Sequence, residues 1–358
     1  MGHTIRPALT LLYAIAGRVL SIEASDEWSA NLISRFLREF YLDPLTVNPL
    51  AKASFSIKIF SRGPAPAIPE GLETFEVEFG HCRTDGETYY LTVEDSLIAA
   101  GINERGGFLS VWIGETIHAR QTLSLFNLLA YVLEISLRRC GLYQLHGGGV
   151  VTQDGKAGVL IIGASGSGKS TLTAQLASRG WLYLTDDALL LTKEGDLVHA
   201  RGIRRFFSAS EATLASCSIG PVSPAVGGQM LSDPNKRRLK PLVAFPDRFI
   251  SSCIPRTLIL ASITGQDRSE VQSTGRTDTM ARLIRSNPWA SYDNLTARDH
   301  LQILNRLTNQ CRSYSLRAGF DILSDPSCAE ALLMPLIEQE DSGRKLSLIS
   351  NWKKASKA

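Results

Sequence analysis

Residues Gly163 to Ser170, GASGSGKS, match the pattern G-x-x-x-x-G-K-[ST] in full. They stand between an apolar run, GVLII, and a helix-forming run, LTAQLASRG. An apolar strand that turns on glycines into a helix and then into a second apolar strand is the nucleotide-binding unit of α/β proteins, so this stretch restricts the fold more than any other. Gly163, Gly166 and Gly168 let the backbone turn sharply. Together with Ala164, Ser165 and Ser167 they aim several N–H groups into one concavity at the positive end of a helix, where phosphate oxygens can sit. Lys169 is placed to reach the β and γ phosphates and the Ser170 hydroxyl to ligate Mg²⁺, with Thr171 closing the loop. The expected cofactors are ATP and Mg²⁺.

Phosphoryl transfer also needs a carboxylate for the metal and a group that orients or deprotonates the nucleophile. Asp186 and Asp187 follow the apolar residues WLYLT one short helix after the loop, which brings them beside it. Adjacent carboxylates disfavour joint ionisation unless a cation neutralises them, and Mg²⁺ is the natural one. His146, just before Gly147, Gly148 and Gly149, begins a strand expected to neighbour the loop strand, where an imidazole can tune the base or contact a phosphate. A structural histidine fits the spacing equally well.

The 358 residues suggest two units. We expect an α+β accessory unit over residues 1–118, a P-loop α/β unit over 119–341 and a mobile basic tail over 342–358 containing Lys353, Lys354 and Lys357. In the first unit, YAIAGRVLSIEA predicts one strand, Asp26 caps a helix, and FSIKIFSR, FEVEFG and ETYYLTVED predict short strands. In the second, Ala119 to Arg139 predicts a helix closed by Gly141, and VVTQDGKAGVLII a hairpin at Asp154-Gly155-Lys156. WLYLTDDALLL and RTLILASITG predict buried strands, Arg201 to Pro255 a long loop region with short elements, and Thr277–Arg285 and Thr296–Thr308 helices. SYSLRAGF then predicts a strand and SDPSCAEALLMPLIEQE a terminal helix.

With 38 basic and 35 acidic residues the chain carries no pull toward nucleic acid. Six cysteines without a Cys-x-x-Cys pair fit a reduced cytoplasmic protein. The apolar stretch from Pro7 to Leu20, interrupted by Arg18, is too short to span a bilayer and does not read as a targeting signal, so no membrane partner is expected. Two local basic clusters, Arg201 to Arg205 and Lys236 to Lys240, suggest a clamp on phosphate or carboxylate groups through Arg201, Arg204, Lys236 and Arg238. A homo-oligomer stays open.

The same loop serves transporter ATPases, and Gly227-Gly228-Gln229 superficially matches part of their signature, but no apolar strand ending in Asp-Glu follows it. A nucleotide-binding regulatory module is a further alternative, although the full set of lysine, hydroxyl, paired carboxylates and histidine favours an enzyme.

His146, the Asp154-Gly155-Lys156 hairpin, the loop GASGSGKS and the run LASRGWLYLTDDALLL together resemble HPr kinase/phosphorylase and the wider group of HPr-kinase-like proteins, closely over about residues 144 to 192. The resemblance implies a kinase that transfers phosphate from ATP to a serine hydroxyl with Mg²⁺. Asp186 then looks like the general base, Asp187 like a metal-associated carboxylate alongside Ser170, and His146 like the partner of the first; the two aspartate roles can be exchanged. VHARGIR is similar to the family signature Glu-Ile-Arg-Gly-Leu-Gly, keeping Arg201 and Gly202, with His199 at the acidic position. That departure, and Thr171 in place of Glu, point away from HPr as the acceptor. The first unit and SYSLRAGFDILSDPS resemble HPr-kinase-related proteins, some of which phosphorylate serine on precursor peptides of natural products such as lasso peptides. The acceptor so implied is a peptide, protein or small-molecule hydroxyl.

Overall fold

A computed structural model describes residues 9–45, 53–61, 65–77, 79–103, 106–120, 123–230, 233–287 and 293–338. The basic tail expected over 342–358 lies outside them. The described chain is mixed α/β, built on two large mixed sheets and a small third one.

The first sheet begins with β1 (Leu9–Ile15) and β2 (Arg18–Ala24), where the sequence predicts one continuous strand. The break falls at Ala16 and Gly17, both left-handed at φ 47° and 74°, which closes a hairpin in register from Leu9↔Ala24 to Ile15↔Arg18. Alanine seldom adopts that conformation, so the turn carried no sequence signal. Helix α1 (Glu27–Leu37) follows, capped as expected: the Asp26 side chain accepts from Ser29 N. Strands β3 (Asp43–Leu45), β4 (Phe55–Phe60), β5 (Glu73–Val77), β6 (Gly80–Thr84), β7 (Tyr89–Val93), β8 (Ser96–Asn103) and β9 (Gly106–Trp112) complete the order β3-β1-β2-β4-β9-β8-β7-β6-β5.

After α2 (Glu115–Arg120), helix α3 (Leu123–Arg139) ends at Gly141, whose φ of 73° makes the left-handed cap. Leu125, Leu128, Leu129, Val132 and Leu133 bury into the core of the first sheet with Phe36, Ile57 and Val111. The same core takes in Ala188, Leu190 and Ile203 from the second sheet. A helix expected to open the P-loop unit thus lies on the first sheet and joins the two sheets through shared apolar burial.

The second sheet contains β10 (Tyr143–Val151), β11 (Gly158–Ile162), β12 (Leu182–Thr185), β13 (Ala188–Glu194) and β14 (Leu197–Gly202). Further along the chain it adds β18 (Ser252–Cys253), β19 (Pro255–Ile263), β20 (Glu270–Ser273) and β21 (Arg312–Ala318). Its order is β18-β14-β13-β10-β11-β19-β21-β20, with β12 also on β10. Strands β11, β19 and β21 run parallel; β11 and most of β19 are buried on both faces, while β21 leaves Arg312 and Arg317 exposed. Val159, Ile161, Ile259 and Ala261 face helix α4 (Lys169–Ser178). Leu160, Ile162, Leu258 and Leu260 face the other way, with Leu283 from helix α7 (Arg276–Arg285) and Leu304 and Leu307 from α8 (Asn294–Gln310).

Between β14 and β18 the expected long loop region holds a three-stranded sheet of β15 (Phe207–Ser210), β16 (Val226–Gln229) and β17 (Lys236–Leu239), with α5 (Glu211–Ser216) and α6 (Pro241–Ala244). The chain closes with α9 (Phe320–Ser324) and a helix over residues 326–338.

A buried polar cluster ties α3 to α8. Arg138, fully buried, donates from Nε to Asp293 Oδ2 at 3.2 Å and contacts His300 Nδ1 through Nη1 at 2.7 Å, while Arg139 donates to Asp293 Oδ1 at 3.2 Å.

Candidate phosphate-binding and catalytic site

Helix α4 begins at Lys169 on Gly168, which is left-handed at φ 89° and caps the helix with no side chain. Gly166 is also left-handed at φ 78°. These two φ values give the loop its curl, and they leave the first-turn N–H groups of α4 for an anion rather than a side chain. Lys169, 6% exposed, lies across the loop, its Nζ donating to Gly163 O and Ala164 O at 2.8 Å each. Burial lowers the Lys169 pKa and nearby Lys236 adds to that, against the opposing pull of Asp187 and Asp186. The Ser167 hydroxyl is buried in the loop without a hydrogen-bond partner. Thr171 exchanges a hydrogen bond of 2.8 Å with Thr213, which fixes the helix against α5.

Behind the loop, β10 runs antiparallel to β11 from Gly147↔Ile162 to Val151↔Gly158, so the Asp154-Gly155-Lys156 turn forms the expected hairpin. The glycines after His146 lie within β10 and allow close packing: a Cβ on Gly147 would stand 2.8 Å from Ile161 O, and one on Gly148 would collide with Thr173 of α4.

The run WLYLTDDALLL is two strands, not the one predicted. β12 pairs β10 near Val150, β13 pairs it from Tyr143 to His146, and Asp186-Asp187 is the bend between them. Two carboxylates at a bend can point apart, whereas in a continuous strand each would be fixed to a sheet face. Because β10 lies between β11 and β12, the bend comes out beside the loop. The register His146↔Ala188, with Gly147 N donating to Asp187 O at 2.8 Å, then delivers the histidine to the pair.

The two carboxylates have different surroundings. Asp186 is fully buried, and its Oδ2 accepts from Ser208 N at 2.8 Å. The Ser170 hydroxyl is near enough to favour its ionised form, yet Oδ1 completes no ordinary hydrogen bond. Burial first, then the charge of Asp187, pushes its pKa up from 3.8 to about 7. Asp187, 30% exposed at the side chain, meets His146 Nδ1 at 3.1 Å through Oδ1 and accepts from Arg204 Nε at 3.2 Å through Oδ2. Burial works against its ionisation, but the hydrogen bond from His146 and the charge of Arg204 outweigh it and hold the carboxyl below the ordinary range.

The residues fit a small hard dication. Asp186 Oδ1 is a buried carboxylate oxygen without a partner, and Ser170 offers a second oxygen beside it. No cluster of three or more His, Cys, Asp or Glu side chains suited to a metal occurs among the described residues.

The four side chains expected as a clamp, Arg201, Arg204, Lys236 and Arg238, have different partners in this structure. Arg204 reaches Asp187, and Lys236 is close enough to affect Lys169. Arg238 pairs with Glu39 of the first unit, and Arg201 turns to Glu194 at 3.3 Å. Arg201 instead lines a cavity of about 400 Å³ with Arg205, Tyr41, Phe249 and the β1–β2 turn.

The sequence reading did not foresee what the first unit contributes. Arg204 lies over the rings of Phe40 at 5.3 Å and Phe126 at 5.6 Å, and Arg205 donates to Phe40 O at 2.6 Å. Tyr41 N donates to Ile203 O at 2.7 Å. Residues Glu39 to Tyr41 therefore hold Arg204, Arg205 and Arg238 at once. A cluster of arginines near a phosphate loop was visible as composition; the long-range aromatic partners were not.

No helix among the described residues is long and apolar enough to cross a membrane, and all six cysteines are free thiols. No protein-family model and no curated protein matches the chain. Among solved structures it is similar to the Hpr(Ser) kinase/phosphatase from Coxiella burnetii, at 18% identity over 36% of this chain and 70% of that one, with a TM-score of 0.23.

Proposed function

We propose that the chain is a P-loop phosphotransferase that moves the γ-phosphate of ATP to a serine-type hydroxyl on a peptide, protein or small molecule. The observation that carries this reading is the juxtaposition of a complete phosphate loop with a differentiated carboxylate pair: Asp186 buried beside Ser170, Asp187 partly exposed between His146 and Arg204. A loop that only held nucleotide would have no need of the second carboxylate and its histidine.

The N–H groups of Gly163 to Thr171 and the Lys169 ammonium bind the phosphates. Lys169 Nζ has only to move from two loop carbonyls onto phosphate oxygens. Mg²⁺, held by Ser170 and Asp186, would neutralise charge on the transferring phosphoryl group. The exposure of the two aspartates favours the exchanged assignment of roles. Asp186, sealed under the loop, belongs to the metal, while Asp187 and His146, 44% exposed at its side chain, can meet an acceptor. The acceptor oxygen bonds to the γ-phosphorus, the β–γ bridging bond breaks to leave ADP, and the hydroxyl proton passes to Asp187. Arg204 holds that carboxylate in place and adds positive charge where the transferring group becomes most anionic.

Incubation with γ-labelled ATP, Mg²⁺ and a panel of serine-bearing peptides and small molecules tests this. Label should move to an acceptor in the wild type and not in Lys169→Ala or Asp187→Asn. ATP binding without label transfer to any acceptor, at hydrolysis rates equal in wild type and variants, would replace the enzyme with a nucleotide-responsive regulatory module.

A further inference from the structure

The phosphate loop accounts for a triphosphate but not for the base attached to it. In parallel α/β sheets ligands lie outside the carboxyl ends of the strands, and the two strands that continue the sheet from β11 are β19 and β21, both parallel to it. Ile263 ends β19, and Phe320, two residues past β21, opens α9; these large apolar side chains stay 47% and 56% exposed. Among the described residues the other large apolar side chains of this sheet are buried or half-buried, which sets these two apart.

Ile263 adjoins the loop. A Cβ on Gly168 would stand 3.5 Å from Ile263 Cγ1, and a groove lined by Gly168, Thr171, Ile263, Ala318, Ile322 and Leu323 leads from the start of α4 to the head of α9. It is also firmly built. Phe320 N donates to Gln266 O at 2.9 Å and Asp321 N to Asp267 O at 3.0 Å, Gly319 N donates to Ser269 Oγ at 2.8 Å, and Ser269 N donates to Asp321 Oδ2 at 2.9 Å. Gly319 lies so close under the 266–268 loop that a Cβ would meet Arg268 C at 2.6 Å. The two loops are thus locked together, with Ile263 and Phe320 both exposed on them.

The geometry points to this shelf as the nucleobase seat. A base stacks on Phe320 and packs on Ile263, while exposed Gln266 at the rim, with both a donor and an acceptor, reads its edge. The assignment rests on the nucleotide reading above and adds to it: the chain recognises a nucleoside triphosphate as a nucleoside and not only as a polyphosphate.

Calorimetric titration of the full chain with ATP and with inorganic triphosphate, both with Mg²⁺, tests this in the wild type, Phe320→Ala and Ile263→Ser. The wild type should bind ATP more tightly than triphosphate, by about fivefold or more for one base–aromatic stack. The variants should lose most of that advantage with triphosphate affinity unchanged. An ATP advantage that persists in both variants, or its absence in the wild type, would overturn the base seat and leave the phosphate loop standing. A wild type that binds neither ligand would overturn both.

Discussion

Arg204 donates from Nε to Asp187 Oδ2 at 3.2 Å while its guanidinium carbon lies 5.3 Å from the centre of the Phe40 ring. One side chain therefore joins the carboxylate pair of the second sheet to the core of the first, and the first unit takes part in the geometry of the site.

Replacing Arg204 with lysine keeps the charge but loses the Nε bond and the planar contact with the rings. Turnover should fall at least about tenfold, since a charge-assisted hydrogen bond contributes about 1.5–3 kcal/mol. Phe40→Ala should lower turnover in the same direction through Arg204 and destabilise the fold by about 3–5 kcal/mol, because Phe40 is only 4% exposed. Steady-state kinetics and urea unfolding of both variants check this.

Lys169→Ala should reduce phosphoryl transfer by about 10²–10³-fold, as loss of one preorganised electrostatic group does. The far-UV circular dichroism should be unchanged. Undiminished turnover would remove the phosphate loop from the mechanism.

Asp186 makes stability depend on pH in a defined sense. Its carboxyl titrates near 3.8 when unfolded and at about 7 when folded, so the folded state binds the proton more tightly. The resulting stabilisation is complete below pH 3.8 and disappears as pH rises through 7. Asp186→Asn, which keeps an acceptor for Ser208 N, should therefore melt a few degrees above the ligand-free wild type at pH 8, with the difference shrinking toward pH 4. Thermal melts across that range give the answer.

Asp293 is reached by both Arg138 and Arg139 in the α3–α8 cluster. Asp293→Ala removes the carboxylate that both buried guanidiniums reach and should cost about 3–5 kcal/mol in denaturant unfolding. A cost below about 1 kcal/mol, the value for an exposed pair, would mean that water already reaches the cluster.

What the sequence made legible was local. The loop, its hairpin, α4, α7 and α8 follow from short-range pattern: glycines where φ is left-handed, apolar residues at strand or helix spacing. The aspartate pair stood out in the sequence, but its unequal surroundings did not, because they depend on the bend between β12 and β13 and on Ser208, which arrives from the three-stranded sheet. The β1–β2 turn hid behind Ala16, and β8 and β9 gave no local signal that was read. Arg201, the arginine shared with a known signature, lies with Glu194, whereas Arg204 takes the place at the site through contacts with Phe40 and Phe126, residues far away in sequence.

The most direct test of the central claim is ATP affinity measured with and without Mg²⁺ in the wild type and in Asp186→Asn. If the buried oxygen of Asp186 holds the ion, Mg²⁺ should tighten ATP binding to the wild type and have little effect on the variant. An equal Mg²⁺ effect in both proteins, or no ATP binding to the wild type, would contradict the account.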